Sequence, residues 1–263
     1  MREYEHLKTT SDGAVATVTL NRPDAHNALN VALVEGITRL FEELAVDEGT
    51  RIVVLAGEGR SFCAGADVGY MRDAGGLSYE ENLEDARRLA AMFRAVDECP
   101  KPVVAKVRGA AMGGGAGLVA AADVVVAEEE ARFAFSEVRL GIAPATIAPF
   151  VVRKIGVSHA RSLFLTGERF GAARAWEVGL VHESVPSKEL DATVEKKARD
   201  LLQGGPAAQA AVKGLLRQLE TLEPMDAPGP MSRVISELRT GEEGQEGLAA
   251  FLEKRDPRCR EGL

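Results

Sequence analysis

One stretch of this chain, Gly109-Ala-Ala-Met-Gly-Gly-Gly-Ala-Gly117, restricts its architecture more than any other. It follows the apolar, β-branched run Pro102-Val-Val-Ala-Lys-Val107 and precedes the Ala/Leu-rich run Leu118-Val-Ala-Ala-Ala122. It therefore reads as the turn between a buried strand and a helix. Glycines at 113, 114, 115 and 117 strip that turn of side chains, at a cost in backbone entropy. In return, bare backbone N–H groups stand at a helix N-terminus, aimed at negative charge. That charge is either a standing phosphate or an oxyanion formed during a reaction.

The flanking sequence supplies the frame. Val15-Ala-Thr-Val-Thr-Leu20, preceded by the turn Ser11-Asp12-Gly13, reads as a β-hairpin, and Asn21-Arg-Pro-Asp24 as a turn. Apolar residues at 29, 33, 37, 40, 41 and 44 form a helical stripe, and Arg51-Ile-Val-Val-Leu-Ala56 is a buried strand. A second amphipathic helix over 82–96 is stopped by Pro100 and Pro102. A strand is further expected at 123–127 and a strand or turn around 133–135, so an α/β core with parallel pairing follows. Beyond about residue 157 the patterns are helical, with Leu180-Val-His182 the one strand-like interruption. Pro224–Pro230 reads as a rigid break before the last two helices. The expected division is a core over 1–200 and a helical, oligomerising region over 201–263.

Composition narrows the partners. With 263 residues, 46% of them hydrophobic, the chain can bury a sizeable core. A net charge of −8 argues against general nucleic-acid binding and against an anionic membrane surface. The three scattered cysteines form neither a disulfide framework nor a zinc site, so no metal is expected. No apolar signal region opens the chain and no run is long enough to span a membrane, so a cytoplasmic location is expected.

Four readings compete for the glycine turn, one of them close packing alone, which so dense a cluster makes hard to justify. Gly115-x-Gly117-x-x-Ala120 fits the dinucleotide pattern G-x-G-x-x-G/A, but the strand ends too far before it and the helix after it is too short. No Gly-Lys-Ser/Thr ends the turn, which excludes a P-loop. An oxyanion hole needs two N–H donors, and a second small-residue turn, Ser61-Phe-Cys-Ala-Gly-Ala-Asp-Val68, also follows a core strand. Two such turns belong at one edge of a parallel sheet, where ligands bind.

At this point the residues resemble the enoyl-CoA hydratase/isomerase (crotonase) superfamily. The matching blocks are Asn21–Leu29, Phe62–Val68, Gly109–Gly117, Phe133–Pro144, Leu165–Gly167, Ala175–Val181 and Glu246–Lys254. The resemblance implies a spiral of ββα units with an α-helical C-terminal trimerisation region, in a trimer or a dimer of trimers. It implies an acyl-CoA thioester substrate and no separate cofactor, coenzyme A being part of the substrate. It assigns the oxyanion hole to the N–H groups of Ala66 and Gly114, with Gly114 opening the short helix. By the same resemblance Ala25, His26, Ala64, Asp67 and Val68 line the CoA site, and Met112, Gly117 and Pro144 join the substrate-binding set. Phe251 and Lys254 match a motif that reaches the CoA in some relatives. Many relatives carry lysine at or near His26, so imidazole there brings less charge, and a plain loop role stands beside a phosphate contact.

The reaction turns on carboxylates. Hydratases of this family usually carry two glutamates; here the second is Glu137, between Phe135 and Val138, and the position of the first is Gly117. The apolar neighbours are expected to raise the Glu137 pKa. Glu137 alone could shuttle a proton between C2 and C4, as in a 3-enoyl to 2-enoyl-CoA isomerase, or hydrate an enoyl-CoA with a backbone-held water. Tyr70-Met-Arg, Ser78–Arg87 and Phe135–Phe150 resemble the bacterial methylglutaconyl-CoA hydratase branch of leucine catabolism, which favours hydration. Arg72 and Arg139 are candidates to meet an acidic acyl group, with an exposed ion pair as the alternative role of each. A non-catalytic acyl-CoA-binding protein is the reading from another class, disfavoured by the intact Glu137.

Overall fold

The computed structural model describes residues 3–260. Strands β1 (Leu7–Asp12) and β2 (Val15–Leu20) form the expected antiparallel hairpin. Helix α1 (Val31–Val46), strand β3 (Ile52–Gly57), the short strand β4 (Ser61–Cys63), helices α2 (Val68–Ala74) and α3 (Tyr79–Glu98), strand β5 (Val103–Val107) and the short strand β6 (Ala110–Met112) follow. Next come helix α4 (Gly114–Ala121), strands β7 (Val124–Glu128) and β8 (Arg132–Ala134), a 3-10 turn over Glu137–Leu140, and helix α5 (Ala148–Thr166). Strand β9 (Arg169–Gly171), helix α6 (Ala172–Glu177), strand β10 (Glu183–Val185) and helices α7 (Leu190–Leu202), α8 (Pro206–Leu219), α9 (Pro228–Thr240) and α10 (Glu242–Glu253) complete the order.

The strands form two sheets, β1-β2-β3-β5-β7-β10 and β4-β6-β8-β9. Three strands of the first sheet each lead into a short strand of the second: β3 into β4, β5 into β6, β7 into β8. A helix then returns the chain to the next long strand, and this repeated ββα unit is the α/β spiral. The central strands β3, β5 and β7 of the larger sheet are buried on both faces and so are largely apolar rather than alternating, whereas β2 alternates. On β3, Val53 and Leu55 join the main core with Leu33, Ile37, Phe41 and Phe93, while Ile52 and Val54 face Leu190 and Val194 of α7. The helix ends are locally specified: Asn30 Oδ1 accepts from Leu33 N at 2.9 Å, and Ser78 with Glu81 forms a capping box on α3.

Several sequence expectations shift. The strand expected at Leu180–His182 begins at Glu183, although His182 N–H already bonds Val125 O. The Pro224–Pro230 break is shorter than expected, because Pro228 and Pro230 lie in the first turn of α9, where a missing N–H costs nothing. Ser61–Cys63 and Ala110–Met112, read as turns, are strands of the second sheet. α4 begins at Gly114, so Gly115 and Gly117 lie inside the helix rather than in the turn before it. α8 folds back on the body, with Lys213 Nζ donating to Asp123 Oδ2 at 2.6 Å. Ile235 on α9 and Leu248, Phe251 and Leu252 on α10 are left exposed.

Candidate active site

The two small-residue turns do meet, at the C-terminal ends of two paired strands of the smaller sheet. β4 and β6 run parallel, with Ser61 opposite Ala110 and Cys63 opposite Ala111. Beyond them Gly65 and Gly113 both have positive φ, +94° and +49°, where a Cβ is disfavoured. A Cβ on Gly65 would fall 2.9 Å from Met112 O, so the two turns abut backbone to backbone.

Leu29 ties this pair together. Its N–H donates to Gly65 O at 2.7 Å, and its carbonyl accepts from Asp67 N at 2.9 Å. Neither bond uses the N–H of Ala66, the residue between, and Ala66 is exposed. Successive residues of an extended segment face opposite ways, so the Ala66 N–H points away from Leu29. On the other turn, Gly113 N–H bonds Ala134 O at 2.9 Å, and Gly114 is the first residue of α4. A first-turn N–H has no helical acceptor, and the positive end of the helix dipole adds to it. Leu29 Cδ1 lies 2.7 Å from where a Gly114 Cβ would stand, so the leucine packs directly on the helix start.

Glu137 faces this turn from the other side. A side chain at Gly113 would begin 3.2 Å from Glu137 Oε1. Glu137 Oε2 is buried and has no hydrogen-bond partner among the described residues. Burial raises the Glu137 pKa above the usual glutamate value, opposed by a hydrogen bond from its own backbone. A carboxylate that is part-buried, unneutralised and set beside free N–H donors is arranged for proton transfer next to a developing negative charge.

The remaining expected residues divide. Pro144 is buried and Met112 half-buried, and both lie in segments bordering the glycine turn: Met112 precedes Gly113, and Pro144 O accepts from Ala148 N as α5 begins. Gly117 is buried, and a Cβ there would fall 2.3 Å from Ile147 Cγ2 and 2.9 Å from Phe93 Cε1. The space where a second glutamate would start is thus filled by Ile147 and Phe93. Ala64 is exposed, and its N–H donates to His26 O at 3.0 Å, which joins the Ala25–His26 loop to the Ala64–Ala66 turn. His26 is itself exposed, with Nδ1 3.0 Å from Ser61 Oγ. Asp67 caps α2 through Gly69 N and Tyr70 N and pairs with Arg22 Nη1 at 2.6 Å. The Arg22 hydrogen bond holds its carboxyl below the usual range, so Asp67 organises the loop, while Val68 is exposed beside it. Phe251 is 80% exposed on α10, and Lys254 caps that helix; α10 packs on α9, away from the glycine turn. Arg139 reaches Thr166 O at 3.4 Å, and Arg72 is exposed on α2.

Sequence reasoning gave no role to Asn27, Leu29, Phe93 or Ile147. Asn27 is fully buried at φ +56°, a conformation asparagine tolerates better than most residues. Its Nδ2 donates to Glu58 O and Ser61 O, and its Oδ1 accepts from Arg22 N at 2.8 Å. The available signal was a polar residue inside the Pro-Asp-Ala-His-Asn turn. Asn27→Ala is expected to lose about 3 kcal/mol, since buried backbone partners are left unpaired and alanine is strained at this φ. Chemical denaturation checks this.

The enoyl-CoA hydratase/isomerase family profile matches residues 10–262. The 2,3-dehydroadipyl-CoA hydratase of Escherichia coli (strain K12) is 36% identical over 248 residues, covering 92% of this chain and 94% of that protein. Enoyl-CoA hydratase ACTT6 of Alternaria alternata is 35% identical over 251 residues, covering 94% and 80%. The crystal structure of an enoyl-CoA hydratase from Shewanella pealeana ATCC 700345 superposes with a TM-score of 0.94 at 38% identity, covering 97% of this chain and 96% of that one. With a matched profile over nearly its whole length, a relative 36% identical across almost all of both chains and a shared fold, this chain belongs to the enoyl-CoA hydratase/isomerase family of enzymes.

Proposed function

We propose that the protein adds water across the 2,3-double bond of an acyl-CoA thioester, with Glu137 as its acid/base and the N–H groups of Ala66 and Gly114 as its oxyanion hole. The observation that carries this is the buried, partnerless Oε2 of Glu137 beside the start of α4. The thioester oxygen accepts from the two N–H groups, which polarises the conjugated double bond. Ionised Glu137 takes a proton from water as the water oxygen bonds C3, and the electron pair moves to the thioester oxygen as an enolate. Protonated Glu137 then returns the proton to C2, the enolate collapses to the thioester, and the carboxylate is restored. The net change is one water added, oxygen at C3 and hydrogen at C2.

One observation favours a second reading. Ile147 and Phe93 fill the place of a second carboxylate, so a single group must handle every proton. The same arrangement suits a 3-enoyl to 2-enoyl-CoA isomerase in which Glu137 moves a proton between C2 and C4. Supplying crotonyl-CoA, 3-methylglutaconyl-CoA and a 3-enoyl-CoA separately distinguishes them. Formation of 3-hydroxyacyl-CoA supports hydration, isomerisation alone replaces it, and no turnover on any of the three removes both.

Within the hydratase reading, the finer substrate is a short, carboxylated, branched acyl group of the methylglutaconyl type, in leucine breakdown. A relative named for a dicarboxylic acyl-CoA supports an acidic chain, and Arg139, two residues past Glu137, has no carboxylate partner among the described residues. We also propose a cytoplasmic trimer or dimer of trimers. The exposed Leu248, Phe251 and Leu252 of α10 would be covered in it, and Phe251 and Lys254 brought to a CoA. The buried free thiols of Cys63 and Cys99 fit a reducing compartment.

Two outcomes follow here. Gly117→Glu does not create a two-carboxylate enzyme: Ile147 blocks its Cβ, and overpacking destabilises by about 1–3 kcal/mol, seen as a lower Tm. The base must start ionised, so kcat/KM falls as pH drops through the raised Glu137 pKa, which a pH–rate profile shows as an acid limb above the ordinary glutamate range.

A further inference from the structure

We infer that Lys154, on α5, is a positioning residue for the oxyanion helix α4, gripping its C-terminal end from behind the site. This rests on the reading above that Gly114 is an oxyanion donor. α4 has eight residues, roughly 12 Å at about 1.5 Å of rise per residue, so whatever holds one end governs the other. The last carbonyls of a helix lack helical partners. At this end Ala120, Ala121 and Ala122 are almost fully buried and border a cavity that Lys154 also lines. Lys154 Nζ donates to Ala120 O at 3.5 Å and, more closely, to Ala122 O. A cation there complements the negative end of the helix dipole, whose positive end is the Gly114 N–H. Charge at Lys154 thus orders α4 and adds positive potential where the enolate forms.

Neighbouring charges are already committed. Arg153 pairs with Asp97 of α3 and with Glu220, which follows α8, and Lys213 of α8 pairs with Asp123. Arg217 of α8 donates to Asp97 O at 3.3 Å. Lys154 has no carboxylate within ion-pair distance among the described residues. Burial lowers its pKa to about 8, helped by Arg153 and Lys213 and opposed by Asp123 and Asp97. His182 lines the same cavity of about 360 Å³ and is held neutral, its pKa pushed down to about 4 by burial and then by Lys154 and Lys197. The Lys154 ammonium therefore loses its proton near pH 8.

The test uses full-length wild type, Lys154→Met and Lys154→Arg with crotonyl-CoA. Wild-type kcat falls through an alkaline limb centred near pH 8. Lys154→Met lowers kcat about ten-fold below that limb with KM nearly unchanged, the scale of a partly buried helix-end cation. Lys154→Arg, charged at every accessible pH, keeps kcat within about three-fold and abolishes the limb. A second readout is independent of turnover: the 15N amide resonances of Gly114 and Gly115 titrate near pH 8 in wild type and stay flat in Lys154→Arg. If Lys154→Met fails to fold, Lys154→Arg decides alone. A limb that persists in Lys154→Arg, or wild-type glycine resonances without an inflection there, overturns the inference. Resonances that titrate in a protein inert toward enoyl-CoA sustain the clamp and remove the hydratase reading instead.

Discussion

Glu137→Gln lowers kcat for enoyl-CoA hydration by about 10²–10⁴-fold, the range general acid–base catalysis covers. Glutamine keeps the shape and a hydrogen-bonding carbonyl but neither takes a proton from water nor delivers one to C2. KM changes little, because the carboxylate is set beside the reacting atoms and CoA is held elsewhere. The same substitution raises stability at pH 8. Burial raises the folded-state pKa of Glu137, so the ionised form is penalised in the native protein. That penalty is absent below the unfolded-state pKa and grows as pH rises through the folded-state value. Glu137→Gln therefore melts above wild type at pH 8, and the two melting curves converge in acid, as calorimetry across pH checks. Lost activity with gained stability separates a catalytic carboxylate from a structural one, whose removal would cost stability instead.

Ala66→Pro lowers kcat by about 10²–10³-fold, the effect of losing one oxyanion donor, or about 3–4 kcal/mol of transition-state stabilisation. Proline deletes the Ala66 N–H while the two bonds to Leu29, made by Gly65 O and Asp67 N, survive. Those flanking bonds do not need the Ala66 N–H, so circular dichroism is expected to show a folded variant whose chemistry is lost. Single-turnover kinetics with saturating substrate measure the loss directly. A variant as active as wild type would take Ala66 out of the oxyanion hole.

Much of this architecture is legible because it is written locally. The β1–β2 hairpin follows from alternation around an Asp-Gly turn, and β3 from an unbroken apolar run between charged and glycine residues. The glycine turn is legible because few tasks justify so many bare residues together. Most of the second sheet was hidden because β4, β6 and β9 are three residues each, too short for any period, and only the segment of β8 read as a strand or turn. Those strands exist only because partners far apart in sequence align them. Gly117 shows the same limit at the site: its identity raised the question of a missing acid, but the packing of Ile147 and Phe93 against it is a long-range fact. Leu29 was unremarkable as an apolar residue near a helix start, yet it joins both donor turns. Pro228 and Pro230 misled because proline both ends helices and begins them.

The central claim is that Glu137 passes a proton from water to C2 while water oxygen bonds C3. It is tested most directly by turning over crotonyl-CoA in ¹⁸O-labelled D₂O and weighing the product by mass spectrometry. The account predicts a 3-hydroxyacyl-CoA carrying one ¹⁸O at C3 and one deuterium at C2, formed by wild type and lost with Glu137→Gln. Failure of wild type to form ¹⁸O-labelled 3-hydroxyacyl-CoA, or labelled product formed equally fast by Glu137→Gln, would contradict it.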